Sequence, residues 1–96
     1  MRECPPTRGY AGGVAKYACP CCGYLTLDQE APGTFQMCEV CIWEDDPVQF
    51  DDPDFGGGAN RPSLNEAREN FKRLEASDAR FVEQTRPPRA TEIPPS

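Results

Sequence analysis

Apolar and polar positions alternate only over short stretches of this chain, so its regular elements should be short. Tyr24-Leu25-Thr26-Leu27 and Thr34-Phe35-Gln36-Met37 are two runs rich in β-branched and aromatic residues, separated by Asp28 to Gly33. Such runs on either side of a turn segment predict a β-hairpin. Pro32-Gly33 suits the two central positions of a type II turn, because proline presets the first φ and glycine accepts a positive φ at the second. Beyond residue 62 the period changes. Leu64, Ala67, Phe71 and Leu74 recur at steps of three and four, while Asn65, Glu66, Arg68, Glu69, Lys72 and Arg73 face mainly elsewhere. This is the pattern of one amphipathic helix. It should begin at Ser63, preceded by Pro62, where the serine hydroxyl can accept the third helical N–H and Glu66 can reach back. Phe81 and Val82 either extend the apolar face in a second short helix from near Ser77 or follow a break at Ser77-Asp78.

The ends read differently. Residues 1–16 are rich in Gly and Pro and poor in apolar side chains, which predicts a flexible arm. Residues 85–96 contain Pro87, Pro88, Pro94 and Pro95, with Ile93 as the large aliphatic. Ordering such a segment costs more entropy than its burial returns, so a disordered Pro-rich tail is expected. A single folded domain over residues 17–84 remains. In a chain of 96 residues it buries too little apolar surface to be stable without a metal, a disulfide or a partner.

Six cysteines change the picture. The N-terminus shows no basic, then apolar, then small-residue leader, so the expected compartment is the cytoplasm, where thiols stay reduced and closely spaced cysteines serve more often as metal ligands than as disulfides. Cys19-Pro20-Cys21-Cys22 and Cys38-Glu39-Val40-Cys41 each contain a C-x-x-C pair, with fifteen residues between the pairs. That separation lets a chain run out and back, so that Cys19, Cys22, Cys38 and Cys41 surround one ion tetrahedrally. The other reading of these residues is a pair of disulfides or idle buried thiols. With no histidine in the chain, an all-thiolate site suits zinc or iron, and one Zn²⁺ is the expected cofactor. A structural site of this kind contributes roughly 10–16 kcal/mol of apparent binding free energy, more than the whole stability of an ordinary small domain. Gly23 can bend the backbone around the ion, whereas the second pair runs into Ile42 and must reach its bend without glycine. Cys21 should point away from the ion. It has no histidine to act as its base, and acidic surroundings disfavour a thiolate, so a structural role is expected rather than a reactive one. Cys4 falls in the arm and has no assigned role.

Charge is unevenly spread. No Lys or Arg lies between Lys16 and Arg61, an interval holding nine acids. Removing those nine charges from the formal net of −6 leaves the flanks at +3. Nucleic acid is therefore not an expected partner, since phosphate attraction needs cations that the cysteine-bearing segment lacks. No apolar run is long enough to cross a bilayer. Six carboxylates fall in the eleven residues from Glu44 to Asp54, and they admit three readings. One is a solvated acidic face whose Trp43, Val48, Phe50 and Phe55 cover the cysteine hairpin. A calcium loop is disfavoured by Pro47, Pro53 and the missing D-x-D-x-D-G spacing. The third is a partner-binding patch of Trp43, Glu44, Asp45, Asp46, Asp51, Asp52 and Asp54, steered toward a basic protein such as a toxin or enzyme. An inhibitor or immunity role would follow. Catalysis is not expected, because no nucleophile and base pair is recognisable and a four-thiolate site leaves no open position.

Tyr17 to Tyr24, then Cys38-Glu39-Val40-Cys41-Ile42-Trp43-Glu44-Asp45-Asp46-Pro47-Val48-Gln49-Phe50, Asp52-Pro53-Asp54, Gly57-Gly58-Ala59-Asn60 and Ser63 to Phe71 together resemble the cysteine-rich CPCC family. The resemblance covers about Tyr17 to Phe71 and departs at Ile42, where members often carry glycine. It implies a small, largely bacterial protein with a zinc-ribbon core, and no particular activity. The expected fold is thus a small metal-bound α+β domain with a zinc-ribbon or rubredoxin-like hairpin core and one C-terminal amphipathic helix. Tyr17-Ala18-Cys19 through Cys22-Gly23-Tyr24 also resembles the first metal-binding turn of rubredoxins. That resemblance implies the alternative of an iron electron carrier, although the fifteen-residue separation and Ile42 depart from the rubredoxin pattern.

Overall fold

The computed structural model describes residues 16–95. The expected arm at 1–16 lies outside the described residues except for Lys16. Two strands, β1 (Tyr17–Ala18) and β2 (Leu25–Leu27), pair antiparallel with Tyr17 opposite Leu27 and Ala18 opposite Leu25. A short helix, α1 (Pro47–Asp51), and a longer one, α2 (Leu64–Leu74), follow, with 3₁₀ turns at Ala79–Phe81 and Ala90–Glu92. This is a small α+β arrangement. Among the described residues no helix is long and apolar enough to cross a membrane.

The strand pairing differs from the sequence expectation. Leu25–Leu27 does not pair with Thr34–Met37 but folds back on Tyr17–Ala18 across the first C-x-x-C turn. Residues 34–37 close instead on the segment after the second cysteine pair. Phe35 N–H donates to Asp45 O, Asp45 N–H donates to Gln36 O, and Met37 bridges Glu44. The expected loop and the two observed ones are each six residues long, so closure entropy does not choose between them. The pairs that form are those closed by the hydrogen bonds of the cysteine turns, Cys19 N–H to Tyr24 O and Cys38 N–H to Trp43 O. Gln36 of the second run reaches Asp28, next to the end of the first, accepting from its N–H and donating to its carboxylate. Gly33 takes the positive φ expected of it, 94°.

Helix α2 begins as its sequence predicts. Ser63 Oγ accepts from Glu66 N–H at 3.1 Å, and Glu66 Oε1 accepts from Ser63 N–H at 2.8 Å, a complete capping box. Leu64 and Ala67 are buried, and Phe71 packs edge-on against Tyr24 with ring centroids 6.2 Å apart. The helix ends at Glu75 in the left-handed conformation (φ 60°), which donates its N–H back to Phe71 O. Of the two readings at Ser77, the break is realised. Ser77 is buried, Asp78 caps a single 3₁₀ turn, and Val82 is exposed.

Residues 85–95 pack rather than trail. Arg86 bridges the carboxylates of Glu39 (3.0 Å) and Glu92 (2.7 Å). Glu92 also accepts from Arg89 N–H, and the turn carrying it touches β2. Charge-assisted hydrogen bonds from a planar guanidinium replace the apolar burial that composition shows to be missing.

Candidate metal centre

The centre is built from two turns of the same construction. In the first, Gly23 N–H donates to Cys19 O at 2.8 Å and Cys19 N–H to Tyr24 O at 2.9 Å. In the second, Ile42 N–H donates to Cys38 O at 2.8 Å and Cys38 N–H to Trp43 O at 2.9 Å. The residue after each second cysteine is left-handed, with φ of 81° at Gly23 and 70° at Ile42. The Sγ atoms of Cys19, Cys22, Cys38 and Cys41 all lie within 4.8 Å of one another. Cys19 Sγ is 3.6 Å from Cys41 Sγ, and Cys22 Sγ is 3.7 Å from Cys38 Sγ.

These separations are far longer than the disulfide bond of about 2.05 Å, and all four residues are free thiols. They match the edge of roughly 3.8 Å that a tetrahedron acquires when sulfur sits about 2.3 Å from a central ion. The donor set therefore fits a soft or borderline dication in four-coordinate geometry. Cys19, Cys38 and Cys41 are buried and Cys22 is half-buried. Cys21 N–H points at Cys19 Sγ (3.4 Å), and the Thr26 hydroxyl donates to Cys38 Sγ (3.0 Å).

Protons and burial shape this cluster. Hydrogen bonding to Cys22 and then Cys38, together with burial, pushes the Cys19 thiol far above its ordinary value. Cys41 is pushed up by hydrogen bonds with Cys19 and Cys21 and by burial. At Cys22 the hydrogen bond with Cys19 pulls down, but Cys38, Cys41 and burial outweigh it. Cys38 is held far below its ordinary value by hydrogen bonds from Cys19, Cys22 and Cys41, with Thr26 adding to them. Ionising all four sulfurs at this spacing would need a cation among them.

Helix α2 roofs the cluster. Leu64 and Ala67 pack in one core with the buried cysteines, Val40 and Trp43. Arg68 Nε donates to Pro20 O in the first turn (3.0 Å), and Ser77 N–H donates to Cys41 O in the second (2.8 Å). The long helix and the segment that follows it are thereby tied to the two halves of the site.

The acidic segment is placed otherwise than a continuous partner-binding patch would require. Trp43 is 1% exposed and belongs to the core, which corrects its expected role as a surface anchor. Asp45 is also 1% exposed: its Oδ2 accepts from Thr34 N–H at 2.9 Å, and its Oδ1 has no partner among the described residues. Asp46, 7% exposed, accepts from Val48 N–H through Oδ1 and from Ala59 N–H through Oδ2. Those two carboxylates hold backbone and cannot meet a partner face-on. Glu44 is half-buried, whereas Asp51, Asp52 and Asp54 are exposed beside Val48, Phe50 and Phe55. Asp54 is engaged by the Asn65 side chain at 2.9 Å. Among the described residues, the group of donors close enough to share one ion is the four cysteines.

Sequence reasoning missed the polar frame behind Trp43. Gln49 is fully buried; its Nε2 lies 3.0–3.1 Å from Phe55 O, Asn60 O and Pro62 O, and its Oε1 accepts from Asn60 N–H and Nδ2. Asn60 in turn pairs with both backbone groups of Glu44. One signal was available. Asp46-Pro47 is an N-cap followed by proline at the first helical position, which announces α1.

A family model described as Cysteine-rich CPCC matches residues 17–92, from β1 to the Glu92 clasp. No curated protein matches the chain at a significant level.

Proposed function

The chain belongs to the cysteine-rich CPCC family, and from that premise we propose that it is a non-catalytic zinc-binding domain that serves as a protein–protein interaction module. The observation that carries the metal assignment is the convergence of four sulfurs within 4.8 Å, three of them buried. Zinc suits this set because it has no geometric demand beyond the tetrahedron and takes four thiolates in closed structural sites. Bound there, it would supply a cross-link between two turns that no strand ladder joins. Cys19, Cys22, Cys38 and Cys41 would fill its coordination sphere, leaving no position for substrate, which supports a structural rather than catalytic role.

Metal analysis of the folded protein tests this. One zinc per chain in a colourless protein is expected. A red protein with one iron would establish the rubredoxin-like alternative, and a folded chain with neither metal would overturn the reading.

The interaction role rests on the exposed carboxylates of Asp51, Asp52 and Asp54 beside exposed Val48, Phe50 and Phe55, on a chain of net charge −6. Carboxylates around apolar anchors suit a basic protein surface, such as that of a cationic toxin or enzyme, and an inhibitor or immunity role would follow. Coexpression with the product of the neighbouring gene, then capture at low and high salt, tests it. A complex that weakens with salt is expected; none at low salt removes the proposal.

A further inference from the structure

Three of the four sulfurs are closed off, and one is not. Cys19, Cys38 and Cys41 are at most 2% exposed, but Cys22 is half-buried. It lies in the wall of a cavity of about 470 Å³, formed with Cys21, Asn65, Arg68, Glu69, Phe71 and Lys72. The opening is therefore framed by the first metal-binding turn on one side and by the polar face of α2 on the other.

The charge of this opening is opposite to that of the protein. Arg68 and Lys72 contribute two cations and Glu69 one anion, a local balance of +1 on a chain of net −6. Glu69 pairs with Lys72 at 3.1 Å, and both side chains are largely exposed, so this pair is loosely held. Arg68 is better fixed, because its Nε donates to Pro20 O and its Nη1 reaches Asn65 Oδ1 at 3.5 Å. A guanidinium is thereby held beside the cysteine turn, where an approaching anion would meet it.

We propose that this cavity is the port through which the metal enters and leaves, and that it admits small anionic thiolates which exchange with Cys22. The proposal rests on metal occupancy of the four-cysteine cluster. In the exchange, Cys22 leaves the ion as the incoming thiolate sulfur binds it, one metal–sulfur bond forming as another breaks. Cys22 then takes up a proton from water, and no oxidation or reduction is involved. Positive charge at the mouth raises the local concentration of anions and so the rate, with an effect that salt screens. The other three sulfurs are shielded by packing and leave later.

Zinc transfer from the loaded protein to a chromophoric acceptor tests this. The probes are three thiols of similar size: anionic 2-mercaptoethanesulfonate, neutral 2-mercaptoethanol and cationic cysteamine, with rates compared per thiolate. At low ionic strength the anionic thiol should accelerate transfer several-fold more than the cationic one, and the difference should collapse at high salt. Arg68→Gln and Lys72→Gln should abolish the preference, Arg68→Lys should retain it, and Arg80→Gln, which removes the same charge elsewhere, should leave it intact. Limited carboxymethylation with iodoacetate, mapped by peptide, should label Cys22 before Cys19, Cys38 or Cys41. Stoichiometric zinc with rates indifferent to thiol charge, or first labelling at another ligand, would overturn the port. Absence of any bound metal would overturn the zinc assignment itself.

Discussion

Gly23 and Ile42 occupy equivalent positions in the two cysteine turns, each left-handed and each donating its N–H at 2.8 Å to the carbonyl of the first cysteine of its pair. Only one of them is glycine. A β-branched residue at φ 70° bears a backbone cost on the order of 1–2 kcal/mol, set against the burial of its side chain. Ile42→Ala and Ile42→Gly both lose that burial, but only glycine relieves the backbone. Ile42→Gly should therefore be the more stable of the two by about 0.5–1 kcal/mol, the reverse of the usual order, in chemical denaturation of the zinc-loaded variants. At Gly23 an added Cβ would meet nothing within 4 Å, so Gly23→Ala should cost about 1 kcal/mol from the backbone alone.

Metal removal should unfold the domain. Chelation is expected to abolish the fixed tertiary structure, because the two turns share no strand ladder; near-ultraviolet circular dichroism of Trp43 would report it. The pH dependence has a definite sign. In the metal-free cluster Cys19, Cys22 and Cys41 are held protonated and only Cys38 is ionised at neutral pH, so loading must release protons. Metal-bound thiolates have depressed values, and their contribution is complete above the unfolded thiol value and lost as pH falls. Affinity should fall steeply as pH drops, because protons compete with the ion for the sulfurs. Indicator-dye titration in weak buffer would count them.

The frame around Gln49 predicts a local defect. Gln49→Met would leave Phe55 O, Asn60 O and Pro62 O without their donor, at a cost on the order of 3 kcal/mol for buried groups left unpaired. Amide exchange at Ala59 and Asn60 should accelerate well before that in α2. Gly58→Ala should act on the same frame, because its Cβ would lie 2.6 Å from Asp46 Oδ2 and 2.9 Å from Gln49 Cδ.

Two helix caps should rank in a set order. Ser63→Ala removes one side-chain acceptor and should cost about 1 kcal/mol. Asp46→Ala removes acceptors for both Val48 and Ala59 N–H and should cost about twice as much. Denaturant midpoints of the two variants would check the order.

The C-terminal clasp should open with acid. Hydrogen bonding to Arg86 holds the Glu92 carboxyl at about 2, below its usual 4.5. A depressed carboxylate contributes stability that is complete above its unfolded value, so the clasp should weaken as pH falls from about 4.5 toward 2. Glu92→Gln should reproduce the effect at neutral pH, with faster trypsin cleavage after Arg89 while residues 17–84 stay protected.

Much of the site was legible because its signals are local. The spacing of two C-x-x-C pairs selects a ligand set, and Ser63 with Glu66 selects a helix start, through contacts spanning three or four residues. The strands were assigned the wrong partners because period-two patterning marks an extended run without naming its neighbour. The carboxylates of Asp45 and Asp46 misled for a related reason. An acid that solvates a surface and one that caps buried N–H groups look alike until the position of Ala59, thirteen residues from Asp46, is known.

By itself, then, the sequence determined which four sulfurs converge, where α2 begins and which family the chain belongs to, since each cysteine pair and the helix cap are written within three or four residues, although the pairs themselves meet across sixteen and twenty-two. Tertiary structure decided the rest: the left-handed turn at Ile42, the burial of Trp43 and its acidic neighbours, the Gln49 frame and the Arg86 clasp. These rest on contacts between distant segments, whose energies become favourable only once the cysteine turns have brought those segments together.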